Sequence, residues 1–191
     1  MKHDEEALKD LNRALAIDPN NMKVQKELGY LQYQLGDYDA SLSSFQKALD
    51  LQSNDPTLSN NLGYLHLLQG DVVKAQKLIE VAINKPFDRV WLNLGLIQAQ
   101  QGQVDEAKQS WQKGLDLIEN NTDWDKAVCY VFTVALGNPT EGLEQMQNLI
   151  NSSADKNALK NALNDATILS RSSQPLEGIE QVIQLLQEAL L

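Results

Sequence analysis

One pattern recurs at a fixed interval in this 191-residue chain and limits what it can fold into. Leu-Gly pairs recur at this interval at Leu28-Gly29, Leu62-Gly63 and Leu94-Gly95. A second glycine follows each pair, at Gly36, Gly70 and Gly102. The interval is about 32 to 34 residues, the period at which helix–turn–helix units stack into a solenoid. Each unit in such a stack buries its apolar face on its neighbours, so the period predicts a helical repeat array.

The stretch from Met22 to Asp55 shows one unit most clearly. Met22–Gln34 and Tyr38–Leu51 both have the apolar spacing of an amphipathic helix. Gly36 can take the left-handed conformation that ends a helix. Gly29 lacks a Cβ, so a neighbouring helix can approach it closely. We therefore predict two antiparallel helices joined by a tight turn.

These marks resemble the tetratricopeptide repeat (TPR) family, well over residues 1–119 and loosely beyond. The third unit carries the fullest set of family positions: Trp91, Leu94, Gly95, Gly102, Ala107 and Trp111. Two serines depart from the family pattern, since Ala is usual at Ser41 and Pro at Ser53. The resemblance implies an all-α, right-handed superhelical solenoid of antiparallel helix pairs, with Trp91 and Trp111 in the packing.

The repeat pattern divides the chain into six units. We assign them as the second helix of a truncated TPR (1–21), three TPRs (22–55, 56–87 and 88–119), a divergent TPR-like helix pair (120–153) and a C-terminal capping helix pair (154–191). The first unit lacks its first helix and would leave an apolar face uncovered. This indicates either a fragment of a longer array or a face covered by another copy of the chain.

The last two units have less regular patterns. Trp124–Leu136 is apolar on nearly all sides, so we expect this helix to be buried on more than one face. Thr122 and Asp125 have the spacing of a capping box at its start. The final helices are predicted over residues 157–170 and 175–191.

Composition excludes several classes of partner. The formal net charge is −10, which argues against nucleic acid and against an anionic membrane surface. No apolar run reaches the roughly 20 residues that span a bilayer, so we expect no membrane insertion. A single cysteine, Cys129, fits a reducing compartment, and we expect a cytoplasmic protein.

The sequence offers no catalytic, metal or cofactor site. Neither His3 nor His66 has a second histidine or cysteine at metal-ligand spacing. Cys129 lies in the most apolar helix, which predicts an unreactive thiol. We therefore predict that the chain is not an enzyme and binds no cofactor.

The family resemblance implies that the first helices of the pairs build a concave wall. Helix periodicity assigns ten partner-binding residues to this wall: Lys26, Tyr30, Tyr33, Asn61, Tyr64, Leu67, Leu68, Arg89, Asn93 and Leu96. Their mixture of aromatic, apolar and amide side chains suits an extended peptide or an amphipathic helix. The alternative for Tyr30 and Tyr64 is that they pack only against adjacent helices.

Some TPR proteins bind the carboxylate end of cytosolic heat-shock chaperones through five polar residues. Lys26, Asn61 and Arg89 match three of those positions in kind, whereas Tyr30 and Asn93 do not. These two departures argue against a chaperone-tail site and leave a looser recognition of an acidic peptide by Lys26 and Arg89.

The sequence thus predicts a protein–protein interaction scaffold that binds a peptide or helix of a partner in its concave groove. One alternative is a self-association module, a homo-oligomer formed through the N-terminal half-repeat or through the apolar Trp124–Leu136 region. Another is the non-catalytic repeat region of a larger signalling or assembly protein.

Overall fold

The computed structural model describes residues 2–52, 54–119, 122–152 and 154–191, with Lys2 described by its backbone alone. Within these ranges the chain forms helices and turns without a strand, as predicted. The helices are α1 (Lys2–Ile17), α2 (Met22–Leu35), α3 (Tyr38–Leu51), α4 (Pro56–Leu68), α5 (Val72–Ala82), α6 (Asp88–Gln100), α7 (Val104–Leu115), α8 (Asp123–Ala135), α9 (Pro139–Asn151), α10 (Lys156–Leu169) and α11 (Ile179–Leu190).

The chain divides into two compact units. Unit 1 contains the described residues up to His66 together with Val73–Lys85. Unit 2 contains Leu67–Val72, which is the turn between α4 and α5 with its flanking residues, and the described residues from Pro86 to Leu191.

Side-chain caps set several helix starts. The Asp55 carboxylate accepts hydrogen bonds from the backbone N–H groups of Thr57 and Leu58 at 2.8 and 3.1 Å, and Pro56 opens α4. Thr122 and Asp125 form the predicted capping box at the start of α8. Asp55 and the Thr122–Asp125 pair therefore cap the helices that the sequence predicts them to cap.

Glycine ends α2 as predicted. Gly36 has a φ of 83°, and its N–H bonds back to the carbonyl oxygen of Tyr33 at 2.9 Å. A residue with a Cβ would be strained in this left-handed conformation.

The last helix begins later than its sequence predicts. The prediction starts it at residue 175, whereas α11 begins at Ile179. Gly178 precedes it with a φ of 88°, and the Ile179 N–H bonds the Leu176 carbonyl oxygen at 3.3 Å. A turn therefore occupies residues that the apolar pattern assigned to the helix.

Some predictions cannot be compared with the structure. The unit boundaries at 120 and 153 and the departure from the family pattern at Ser53 lie outside the described residues. The division into six units stays a prediction.

The core of unit 1 is built from second helices that carry a small–large–small pattern. In α3, Ser41, Phe45 and Ala48 are 0, 2 and 0 % exposed. A Cβ at Gly29 would lie 2.7 Å from the Phe45 ring, so glycine is what lets α2 approach α3. The Ser41 hydroxyl donates to the Gly29 carbonyl oxygen at 2.7 Å, which explains how a buried serine replaces the usual alanine.

In unit 2, helix α7 carries the same small–large–small pattern, and helix α8 provides a second buried cluster. Trp111 is fully buried in α7, and its ring lies 5.7 Å from that of Phe132 in α8. Helix α8 buries residues on several sides: Ala127, Val128, Val131, Phe132, Val134 and Ala135. The expectation that the Trp124–Leu136 helix is enclosed is confirmed. Among the described helices, none combines the length and the apolar character needed to cross a bilayer.

Candidate partner-binding site

Five of the predicted partner-binding residues come together in unit 1. Lys26, Tyr30 and Tyr33 follow one another along α2, and Asn61 and Tyr64 lie on α4. All five are half-buried, so each exposes part of its side chain. We call this set the tyrosine surface.

Direct contacts join the members of the tyrosine surface. The Asn61 amide nitrogen donates to the Tyr30 hydroxyl at 3.0 Å. The Tyr33 and Tyr64 rings meet edge to face with their centroids 6.2 Å apart. The Lys26 ammonium lies 6.0 Å from the centre of the Tyr30 ring. The side chains are therefore held by one another before any partner arrives.

Tyr30 shows that packing and exposure are not alternatives at this site. Its ring packs edge-on against Phe45, with the centroids 5.0 Å apart and an interplanar angle of 79°. Tyr30 is nevertheless only half-buried, and its hydroxyl accepts the hydrogen bond from Asn61. Tyr30 thus anchors the surface to the core of unit 1.

Leu67 and Leu68 occupy a different setting, in unit 2. The Leu67 side chain is fully buried, and that of Leu68 is half-buried. Their carbonyl oxygens accept hydrogen bonds from the guanidinium of Arg171 at 3.3 and 2.9 Å. Leu67 therefore packs inside unit 2, and the carbonyl oxygens of both leucines bind Arg171 at the end of α4.

The structure places Arg89 inside unit 2 as well. Its Nη1 atom lies 3.4 Å from the carboxylate of Asp165, and the guanidinium stacks 3.3 Å from the centre of the Trp124 ring. The Arg89 side chain is only 15 % exposed. Its Nε and Nη2 atoms are buried and find no hydrogen-bond partner among the described residues. The guanidinium is thus held against α8 and α10 and is not displayed to solvent.

The chain itself covers the neighbouring part of α6. Asn93 and Leu96 are 2 and 1 % exposed. The Ala99 carbonyl oxygen accepts from the hydroxyls of Ser172 and Ser173 at 3.1 and 3.3 Å. In this conformation Asn93 and Leu96 therefore present almost no surface to a partner. No local sequence pattern signalled this coverage, because it joins segments more than 70 residues apart.

A groove lies between α1 and α2 in unit 1. It is open to solvent, with a volume of about 520 Å³, and is lined by Ala7, Asp10, Leu11, Glu27, Tyr30, Leu31 and Gln34. The lining includes the apolar residues Ala7, Leu11 and Leu31, and Asp10 and Glu27 contribute two carboxylates. The sequence predicted an uncovered face on α1 but did not indicate that α2 would complete a groove.

The reactive side chains offer little chemistry. Burial raises the pKa of the Cys129 thiol to about 11, and the Asp125 carboxylate adds to the shift. At neutral pH this thiol is protonated and a poor nucleophile. No group of three or more histidine, cysteine, aspartate or glutamate side chains within the described ranges is arranged to hold a metal ion.

Two family models match the sequence. One, described as TPR repeat, matches residues 3–36 and 29–70, and the other, described as Tetratricopeptide repeat, matches residues 88–121. Together they cover more than half of the chain. No curated protein matches the chain in sequence.

Several solved structures share the fold at low sequence identity. A TPR protein from Parabacteroides merdae is 15 % identical with a TM-score of 0.61, and the match covers 97 % of this chain and 78 % of that one. PilW, a type IV pilus biogenesis factor, is 18 % identical with a TM-score of 0.60, covering 99 and 85 %. YrrB, described as a TPR protein with an unusual peptide-binding site, is 16 % identical with a TM-score of 0.52, covering 94 and 91 %.

The matched segments contain the Leu-Gly pairs and glycine turns at Gly36, Gly70 and Gly102. The structure shows that these residues form the close helix contacts and left-handed turns of helix pairs. Sequence, fold and packing therefore agree, and the chain belongs to the tetratricopeptide repeat family, whose members are in general protein-interaction scaffolds.

Proposed function

We propose that this protein is a scaffold that binds a peptide or a short helix of a partner protein on the tyrosine surface of unit 1. The observation that carries the proposal is the set of five half-exposed, mutually held side chains on α2 and α4. Preorganised side chains lose little conformational freedom on binding, so their contacts contribute to affinity at low entropic cost. The peptide-binding site described for YrrB, which shares the fold, supports a binding role of this kind.

The side chains of the tyrosine surface indicate which residues the bound segment should contain. Tyr33 and Tyr64 provide aromatic area for an apolar side chain, and tyrosine offers a hydroxyl for orientation at small entropic cost. Asn61 can bond the backbone of an extended segment. Lys26 supplies a cation that favours an acidic residue in the partner. Arg89, Asn93, Leu96 and Leu67 are not part of this proposal, since their side chains are mostly buried within unit 2.

Site-specific photo-crosslinking tests the proposal. A photoreactive phenylalanine analogue replaces Tyr33 in one variant, Tyr64 in a second, and the exposed residue Lys47 on α3 in a control. We expect the same adduct from positions 33 and 64 and none from position 47. Adding Lys26→Glu to the Tyr33 variant should abolish that adduct while circular dichroism shows an intact fold.

Two results would contradict the proposal. One is an adduct formed equally well from position 47, and the other is an adduct that survives both Lys26→Glu and Asn61→Ala. The scaffold role is non-catalytic, in keeping with the unreactive Cys129 thiol. The cytoplasmic location stays a prediction, which fractionation of the source cells would check.

A further inference from the structure

We propose that the groove between α1 and α2 binds an amphipathic helix of another protein, one with a small residue at its centre and a basic residue facing Asp10 and Glu27. This surface involves α1 and extends beyond the proposed function, with Tyr30 as its single shared residue.

The apolar face of α1 has the same residue pattern as helix faces that are buried elsewhere in the chain. Helices α3, α5 and α7 carry a small–large–small pattern at four- and three-residue spacing, and all nine residues are buried: Ser41, Phe45 and Ala48; Ala75, Ile79 and Ala82; Ala107, Trp111 and Gly114. Helix α1 repeats the spacing with Ala7, Leu11 and Ala14. There, Ala7 is exposed, and Leu11 and Ala14 are only half-buried.

The three buried patterns also show which residue type packs against the large side chain at their centre. Each large residue of the buried patterns meets a glycine of a preceding helix: Phe45 meets Gly29, Ile79 meets Gly63, and Trp111 meets Gly95. A leucine precedes each of these glycines. A helix that covers Leu11 in the same way would therefore place a glycine, or another very small residue, opposite that side chain.

The charge of the groove selects a basic helix. Among the described residues, its lining contains the carboxylates of Asp10 and Glu27 and no cationic side chain. Asp10 also lies 3.6 Å from Arg13, but both side chains are largely exposed, and such pairs are weak. The carboxylate of Asp10 therefore remains able to attract a lysine or arginine from a partner.

A second copy of the chain fits the groove poorly. Its helices that carry the Leu-Gly pair, such as α2, already pack on their own second helices. Each copy also has a formal net charge of −10, so two copies repel at low salt. The lining runs along α2 from Glu27 to Gln34, or about 10 Å at 1.5 Å per residue. A partner helix contacts this length with about two of its turns.

A helix-constrained peptide with the sequence of residues 22–35 is a suitable probe, because it contains Leu28-Gly29 and two lysines. The constraint is needed since isolated helices of this length are marginal in water. We expect fluorescence anisotropy to report saturable binding that weakens as salt rises. A Gly29→Leu version of the peptide should bind at least about tenfold more weakly because its side chain would collide with Leu11.

A matched pair of protein variants locates the peptide. Ala7 and Ala16 are both exposed on α1 and are nine residues apart, which places them on opposite sides of the helix. Ala7→Arg should abolish binding, whereas Ala16→Arg, with the same change of charge, should leave it unaltered. Tyr64→Ala should also leave binding unaltered, since Tyr64 does not line the groove.

Four results would overturn the inference. The first is that the peptide does not bind saturably at millimolar concentration, and the second is that Ala7→Arg and Ala16→Arg weaken peptide binding equally. The third is that Tyr64→Ala loses peptide binding while Ala7→Arg retains it. The fourth is that the protein forms a concentration-dependent dimer that Ala7→Arg dissociates. The third would place the peptide on the tyrosine surface and favour the proposed function, so the two proposals can fail separately. The fourth would make a second copy the occupant.

Discussion

Arg89 on α6 and Asp165 on α10 form a buried ion pair in unit 2 across 76 residues of sequence. Their charged atoms are 3.4 Å apart, and their side chains are 15 and 1 % exposed. Trp124 closes one side of the pair by stacking on the guanidinium. An arginine that the sequence assigns to a partner is thus engaged by the chain's own C-terminal helices.

Removing one member of this pair should be costly. Arg89→Met removes the cationic member of this buried pair, and removing one member of such a pair typically destabilises a protein by about 3–5 kcal/mol. Urea unfolding monitored by circular dichroism measures the change. Arg89→Lys is the control, since it keeps the charge and loses the stacking on Trp124. If Arg89→Met is as stable as the wild type, the pair contributes nothing to unit 2.

The close approach of α2 and α3 gives a second prediction. Gly29→Ala introduces a methyl group 2.7 Å from the Phe45 ring and should destabilise the fold by about 1–3 kcal/mol through overpacking. Phe45→Leu added to Gly29→Ala should recover part of that loss, because the smaller side chain makes room. A double-mutant cycle in urea measures the coupling between the two sites. Strict additivity would show that the glycine serves another purpose.

Arg171 gives a third prediction, at the end of α4. Its guanidinium donates to the carbonyl oxygens of Leu67 and Leu68, where a cation offsets the negative end of the helix dipole. Arg171→Gln should lower stability by about 0.3–1 kcal/mol. Hydrogen exchange should accelerate most in residues 67–72. Unchanged protection of that turn would show that Arg171 does not stabilise it.

Cys129 gives a prediction for pH. Burial raises the folded-state pKa of the Cys129 thiol to about 11, above its ordinary value of 9.0. The unfolded chain therefore loses this proton first as pH rises, so stability falls between about pH 9 and pH 11. Cys129→Ala should reduce the fall measured by urea unfolding over that range. Iodoacetamide should label the native thiol slowly at pH 8, and rapid labelling would contradict the raised pKa.

The sequence alone predicted much of the fold. The repeated Leu-Gly pairs, the glycine turn at Gly36 and the caps at Asp55 and Thr122 are local signals, and each acts within one or two helical turns. They were sufficient for an all-α repeat protein with most helix ends within two residues. The late start of α11 escaped prediction because an apolar pattern does not reveal where a glycine reverses the backbone.

The candidate site was only partly predictable. Periodicity identifies the side of a helix on which a residue lies, and it assigned Tyr30, Tyr33 and Tyr64 to one wall; all three are half-buried in the structure. It carries no information on which distant segment covers that side. The burial of Asn93 and Leu96, and the contacts of Arg89 with Asp165 and Trp124, therefore appeared only in the structure.

The sequence by itself determined the helices, their pairing and the uncovered face of α1, because these follow from spacing and from residues close along the chain. The tertiary structure decided which first-helix residues remain available to a partner. That choice depends on contacts such as Arg89 with Asp165, between residues far apart in the sequence, and no local pattern encodes them.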